Sequence, residues 1–221
     1  MPDWRLLSTI SAEIPFQFAL DELLFNTDLR TPVLRFYFAS QPCISIGHMT
    51  DIRPIKEKAR RSVYRRLTGG GIVEHGKDLI FSIAARKEHD PSFASVRESY
   101  RKIHEGVRRG LQRAGIDAAF FTGKEDPAGL ECFRAPVLDD LYAAGRKVVG
   151  GAQKRSAGRL LHQGSIQISR RSGCRDLPGA IVQGLAEVFG RALQPADWEP
   201  ERFFTAERNA MTQYPDLRGV P

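Results

Sequence analysis

The sequence predicts a mixed α/β fold, a sheet that is antiparallel in part with helices packed on it, and three observations carry that prediction. Strand-like and helix-like hydrophobic patterns alternate along all 221 residues, without repeats or low-complexity tracts. Several strand-like runs follow one another across short connections, as antiparallel neighbours do. No linker-like tract interrupts the chain, so residues 1–221 read as one domain.

The first helix is expected over Pro15–Asn26, with proline at its start and Phe16, Ala19, Leu20, Leu23 and Leu24 on its buried side. Strands follow over Pro32–Phe38, Cys43–Gly47, Val63–Leu67 and Leu79–Ala85. Phe93, Val96, Tyr100, Ile103, Val107, Leu111 and Ala114 recur at helical spacing and form one apolar stripe, ended by Gly115. Ala118–Phe121, Arg146–Ala152 and Leu160–Ser169 read as further strands, and Asp176–Leu193 as a third long helix.

Composition narrows the function classes. With 42% apolar and 27% charged residues the chain is long enough to bury a sizeable core, which excludes a disordered or fibrous protein. Apolar runs of four or five residues and a start carrying Asp3 and Arg5 predict no membrane span and no signal peptide, and so a cytoplasmic protein. Cys43, Cys132 and Cys174 are odd in number and form no Cys-x-x-Cys pair, which argues against disulfides and a zinc site; no metal is expected.

Thirty-three basic against 26 acidic residues leave a net charge of +7. The charge is concentrated: Arg53 to Arg66 holds seven basic residues and one acid, and Leu141 to Arg175 holds eight basic residues and no acid. Such runs are either solvated loops or a surface for an anionic partner. An acidic protein suits that surface better than nucleic acid, since no nucleic-acid-binding motif accompanies the charge.

Two segments could carry chemistry. In Arg65-Arg66-Leu67-Thr68-Gly69-Gly70-Gly71-Ile72-Val73-Glu74-His75, three glycines between strands let a ligand lie against bare backbone. The same pattern fits a hairpin loop with no ligand, and His75 alone fits a packed histidine. In Gly145-Arg146-Lys147-Val148-Val149-Gly150-Gly151-Ala152-Gln153, a strand could project the Lys147 ammonium into a cleft while its backbone approaches a ligand closely. An edge-strand surface lysine is the other reading. Cys132, fifteen residues before Lys147, is a thiol in a turn-rich stretch, and most such cysteines only fill core space.

Together, RRLTGGGIVEH, CFRAP and GRKVVGGAQKR, in that order and spacing, resemble the biotin/lipoate protein ligase catalytic-domain superfamily. FQFALDELL (Phe16–Leu24), Pro32–Tyr37 with Ser45-Ile46-Gly47, and Leu160 to Ile166 extend the resemblance over most of the chain. The cysteine-dependent octanoyltransferases are the nearer subfamily: Cys132, Phe133 and Pro136 match their Cys-Phe-x-x-Pro element, whereas the Gly-Asn that follows the motif histidine in lipoate ligases is replaced by Gly76-Lys77-Asp78. Val137 in place of the usual serine, Gly150-Gly151 in place of Gly-Ser, and the extra residue in His162-Gln163-Gly164 depart from the pattern.

The resemblance implies a largely antiparallel central sheet flanked by helices. It implies transfer of an octanoyl or lipoyl group from an acyl carrier protein thioester to Cys132, then to a lysine of a lipoyl domain or glycine-cleavage H protein. It assigns catalysis to Cys132 and Lys147, and substrate binding to Arg66, Gly69, Gly70, Gly71, Val73, His75, Val149, Gly150, Gly151, Gln153 and His162. Acyl transfer of this kind needs no cofactor. An ATP- and Mg-dependent lipoate ligase, working through an acyl-adenylate, is the alternative, and a non-catalytic binder of carrier proteins or nucleic acid a second one. The partners implied are acidic carrier proteins, with no membrane.

Overall fold

The computed structural model describes residues 3–56, 58–123, 137–168 and 176–219. Cys132 and Cys174 fall outside these residues. In chain order the elements are β1 (Trp4–Ala12), α1 (Ile14–Asn26), β2 (Val33–Ala39), β3 (Cys43–Ile46), the single turn α2 (Arg53–Lys56), β4 (Val63–Arg65), β5 (Ile72–His75) and β6 (Leu79–Arg86). They continue with α3 (Val96–Arg113), β7 (Ala119–Phe120), β8 (Leu141–Ala143), β9 (Arg146–Ser156), β10 (Arg159–Ile166), α4 (Leu177–Phe189), β11 (Leu193–Ala196) and α5 (Pro200–Gln213).

Eight strands form one sheet in the order β11-β1-β2-β6-β10-β9-β8-β7. Only β11–β1 and β1–β2 are parallel, so the sheet is largely antiparallel. A small second sheet, β4-β3-β5, carries the glycine triplet between β4 and β5. The mixed α/β class follows from the alternating pattern. The sequence reading missed β1, β5, β8, β11 and α5, of which β5, β8 and β11 are at most four residues long.

The central strands are apolar on both faces because both are covered. On β6, Leu79, Phe81, Ile83 and Ala85 join the core beneath α3 and α4, while Ile80 and Ala84 join the core beneath α1. The α3 stripe is set by Ile103, Val107 and Leu111, all fully buried, and its first turn is capped by Ser95, whose hydroxyl accepts the Glu98 amide at 3.3 Å.

Helix α1 differs from its expected face. It is sandwiched between the sheet and α5, so Gln17 and Asp21 are fully buried, whereas Phe16 stacks on Phe203 of α5. Asp21 is satisfied from three strands. It pairs with Arg35 of β2 at 2.9 Å and accepts from the Tyr37 hydroxyl at 2.8 Å, the Ser82 hydroxyl at 2.5 Å and the Gln163 amide at 2.7 Å. Burial, followed by the Asp21 charge, drives the Tyr37 phenol well above its ordinary range and keeps it a donor.

On the α3 side lie two buried histidines. His104 Nδ1 meets the Asp139 carbonyl at 2.8 Å, so it carries the proton and Nε2 is bare. His162 Nδ1 accepts from the Gln153 amide at 3.2 Å, which leaves its proton on Nε2. Burial pushes His104 down to about 4 and His162 well below the usual histidine range.

Two predictions follow from these buried groups. Asp21→Asn should lower unfolding free energy in urea by roughly 3–5 kcal/mol, because it strands the Arg35 charge, and Asp21→Leu combined with Arg35→Met should recover much of that loss. An Asp21→Asn protein as stable as wild type would contradict the network. The histidines make stability pH-dependent: the unfolded chain binds their protons near ~6.5 while the folded chain refuses them. Stability present above ~6.5 should therefore fall as the pH drops towards the folded value of about 4, by at most ~1.4 kcal/mol per pH unit for each group. His104→Gln should flatten part of that slope in thermal unfolding, and an unchanged slope would refute the assignment.

Candidate active site

A cleft opens on the α1 side of the sheet, between β9–β10 and the small sheet, and Lys147, Gly150, Gln163, Ser165, Arg66 and His75 supply its polar walls. Phe18, Val73 and Ile80 make part of it apolar. Its floor is the Asp21 network, since Gln163 donates to Asp21 and accepts from the Thr68 hydroxyl at 2.7 Å.

The position of Lys147 comes from a β-bulge. Leu141 pairs with Val149 and Tyr142 with Lys147, so Val148 is an extra residue in β9. Both Val148 and Val149 consequently face the α3 core, and Lys147 and Gly150 share the opposite, cleft-facing side. A Cβ on Gly150 would sit 2.5 Å from Lys147 Cε and 2.8 Å from Nζ; glycine leaves the room in which the ammonium lies. That ammonium pairs at 2.6 Å with Asp140, whose carboxylate is fully buried and also accepts from the Tyr100 hydroxyl at 2.6 Å and the Val137 amide at 2.8 Å.

The bulge also corrects three expectations. Strict alternation would put Val149 beside Lys147; the inserted residue turns it into the core. Gln153, after this phase change, and its β10 register partner His162 face α3: Gln153 bonds Ser99 at 3.0 Å and His162 stacks on Phe81. Neither lines the cleft, nor does Val149. The Gly151 N–H is occupied as well, donating to the Tyr100 hydroxyl at 3.0 Å.

The glycine triplet is held behind the cleft wall. Arg66 donates to the carbonyls of Gly69 at 2.7 Å and Gly71 at 2.9 Å and to the Ser45 hydroxyl at 3.1 Å, while Arg65 donates to the carbonyls of Gly47, His48 and Thr50. A Cβ on Gly47 would lie 1.8 Å from the Gly70 carbonyl oxygen, so the loop packs directly on that strand end. Arg66 braces the glycine loop and Arg65 the turn after β3 on which that loop packs. Much of the basic charge is absorbed in the same way: Arg155 ties β9 to the start of α3 through the Phe93 and Ser95 carbonyls, and Arg53 and Arg61 pair with Asp51 and Glu74.

His75 sits on the wall opposite Lys147. It is a diagonal neighbour of Ser45 across β3–β5, and its Nε2 lies 2.7 Å from the Ser45 hydroxyl oxygen. Its Nδ1 lies 2.7 Å from Asp78. The turn that brings Asp78 back depends on Gly76 at φ +126°, a conformation side chains rarely adopt. Burial by itself would raise Asp78, but His75, the Ser165 hydroxyl at 2.7 Å and the Gly76 amide at 3.1 Å hold its carboxyl below the usual range. Sequence reasoning missed Ser45, Asp78, Asp140, Gln163 and Ser165 as site residues. Among the described residues no group of three or more His, Cys, Asp or Glu could hold a metal ion, and no helix is long and apolar enough to cross a membrane.

The arrangement suits acyl chemistry: an apolar-walled cleft with an ammonium on one side and a hydrogen-bonded imidazole on the other. The comparisons agree. The lipoyl protein ligase A/B catalytic domain matches residues 13–196. The octanoyltransferase LipM of Halalkalibacterium halodurans is 36% identical over 182 residues, covering 75% of this chain and 66% of that protein. That of Kyrpidia tusciae is 30% identical over 261 aligned positions, covering 94% and 95%. The chain thus spans about two thirds of the first relative's length and nearly all of the second's. A lipoate-protein ligase A crystal structure bound with ATP superposes with a TM-score of 0.72 at 19% identity, covering 96% of this chain and 95% of that one, which shows a shared fold. On the matched residues, the motif order and this fold, the chain belongs to the lipoyl protein ligase A/B catalytic domain family.

Proposed function

We propose that this protein is an octanoyltransferase of lipoate biosynthesis, and that residues 1–221 work as one catalytic domain. An octanoyl group moves from an acyl carrier protein thioester to Cys132 and then to a lysine amine of a lipoyl domain or glycine-cleavage H protein, without ATP. The observation that carries this reading is the Lys147–Asp140 ion pair at a cleft with apolar walls. The same Asp140 holds the amide of Val137, which follows Cys132 by five residues in the sequence.

The chemistry runs in two thioester steps. The Cys132 thiolate attacks the donor carbonyl, the carbon–sulfur bond of the carrier breaks, and the carrier thiolate leaves with a proton. The Lys147 ammonium supplies the positive charge that favours thiolate at an otherwise protonated cysteine, and can donate a proton to the departing sulfur. Asp140 fixes that ammonium, and Phe18, Val73 and Ile80 shelter the acyl chain. The second step exchanges a thioester for an amide and is downhill. Cys43 is unsuited to the nucleophile's role: it is buried, and burial, then Asp78, pushes its thiol up to about 12.

Incubation with an octanoyl-acyl carrier protein should add one octanoyl mass to the intact protein. Cys132→Ala should abolish the adduct, and labelling that survives it would defeat the reading; an ATP-dependent ligase would keep its activity in Cys132→Ser. Gly150→Ala should lower acylation steeply by pushing the ammonium off Asp140, and should lower the melting temperature too, because it strands the buried Asp140 carboxylate. Normal acylation in Gly150→Ala would remove Lys147 from the mechanism. Lys147→Arg keeps charge without the compact ammonium and should lose on the order of 10²–10⁴-fold in acylation.

A further inference from the structure

We propose that a second pocket, on the outer side of the acyl cleft, receives the acceptor protein, and that Lys77 and Arg146 there meet carboxylates flanking the acceptor lysine. The inference deepens the acyl-transfer reading and rests on it. His75 belongs to the wall of both cavities, so the two adjoin. Arg146, in the outer pocket, is also the chain neighbour of Lys147 in the cleft.

Three cations line the outer pocket and come from three places in the chain: Arg61 just before β4, Lys77 on the turn after β5, and Arg146 at the start of β9. Two carboxylates line it as well. Glu74 pairs with Arg61 at 3.2 Å, and Asp78 is turned inwards to His75, the Ser165 hydroxyl and the Gly76 amide. Lys77 and Arg146 are exposed and have no carboxylate partner among the described residues. In this they differ from Arg65, Arg66 and Arg155, which are held by carbonyls of their own chain. Their positions are nevertheless fixed. Gly76, at φ +126°, turns the chain that carries Lys77, and Arg146 is joined to a residue whose ammonium is anchored on Asp140.

Reach decides which of the two acidic carriers meets this pocket. An acceptor lysine has only a four-carbon stem, so when its nitrogen enters the acyl cleft its backbone stands at the cleft mouth and its sequence neighbours lie against the adjoining surface. A donor thioester hangs on a phosphopantetheine arm several times that length, which keeps the body of the donor away from the cleft. The outer pocket therefore faces the acceptor. Carboxylates beside the acceptor lysine fit its two unanswered cations: a guanidinium takes a carboxylate through two parallel N–H bonds, and an ammonium adds a point charge. No ion pair within the enzyme has to break for Lys77 or Arg146 to engage them. Because both cations are exposed, the attraction acts on encounter and orientation and is screened by salt.

A charge swap across the interface tests the proposal. Acyl-enzyme made with octanoyl-acyl carrier protein is freed of donor and chased with a lipoyl domain, for wild type and for Lys77→Glu combined with Arg146→Glu. At low salt the double variant should lose on the order of 10–10³-fold in kcat/KM for the lipoyl domain. Added salt should slow the wild-type chase and not that of the variant. A lipoyl domain whose two carboxylates nearest the acceptor lysine are replaced by lysines should recover much of the rate with the variant and be a poor acceptor for wild type. Lys77→Gln combined with Arg146→Gln removes the charges without reversing them; it should show a smaller loss of the same kind and serves if the reversed protein does not fold. Equal rates for wild type and variant on the native domain, or a loss that the charge-reversed domain does not relieve, overturns the proposal. A loss confined to acylation by the donor overturns it too, by assigning the pocket to the other carrier. A wild-type protein that forms no acyl-enzyme overturns the acyl-transfer reading, and the acceptor's place in this pocket with it.

Discussion

The site depends on one buried ion pair. Removing an ammonium and a carboxylate from water costs several kcal/mol for each ion unless each finds its partners in good geometry. Lys147 and Asp140 meet at 2.6 Å, and the remaining lone pairs of Asp140 are taken by Tyr100 and the Val137 amide. The bulge in β9 and the glycine at position 150 leave room for this pair, which ties the α3 helix, the β8–β9 hairpin and Val137 to one point. A cation buried in this way acts in a low dielectric, where it shifts a neighbouring thiol far more than it would in water.

Two other buried carboxylates repeat the principle. Asp21 joins α1 to β2, β6 and β10 through Arg35, Tyr37, Ser82 and Gln163, and builds the cleft floor. Asp78 joins β5 to β10 through His75 and Ser165 and builds the wall opposite Lys147. Three carboxylates, on a helix, a turn and a loop, therefore hold three sides of one cavity. Each leaves a group of different chemistry facing it: an ammonium, a primary amide and an imidazole.

The long apolar stripe of α3, the largely apolar run of β6 and the glycine triplet were legible because each is a local pattern with a period or a composition. Lys147, His75, Arg66 and Val73 were found by motif. Val149, Gln153 and His162 came from the motifs and their neighbours and do not line the cleft: the extra residue at Val148 turns Val149 and Gln153 to the α3 side, and His162 is the β10 register partner of Gln153. Asp140 and Asp78 carried no local signal, since a charged residue in a turn ordinarily faces water; only the tertiary pairing to Lys147 and His75 distinguishes them. Asp21 was hidden within a helical pattern whose second covering layer, α5, the sequence reading did not contain.

The central claim is that the acyl group rests on the protein between donor and acceptor, and acyl exchange in the absence of any acceptor tests it most directly. Octanoyl-acyl carrier protein is mixed with isotopically labelled, unacylated acyl carrier protein and the enzyme, with no lipoyl domain, H protein or ATP. A covalent cysteine intermediate predicts that the octanoyl group equilibrates between the two carrier pools, at a rate that disappears in Cys132→Ala. Absence of exchange by an enzyme that nonetheless octanoylates a lipoyl domain would contradict the account, because the acyl group would then pass directly from donor to acceptor or through an adenylate.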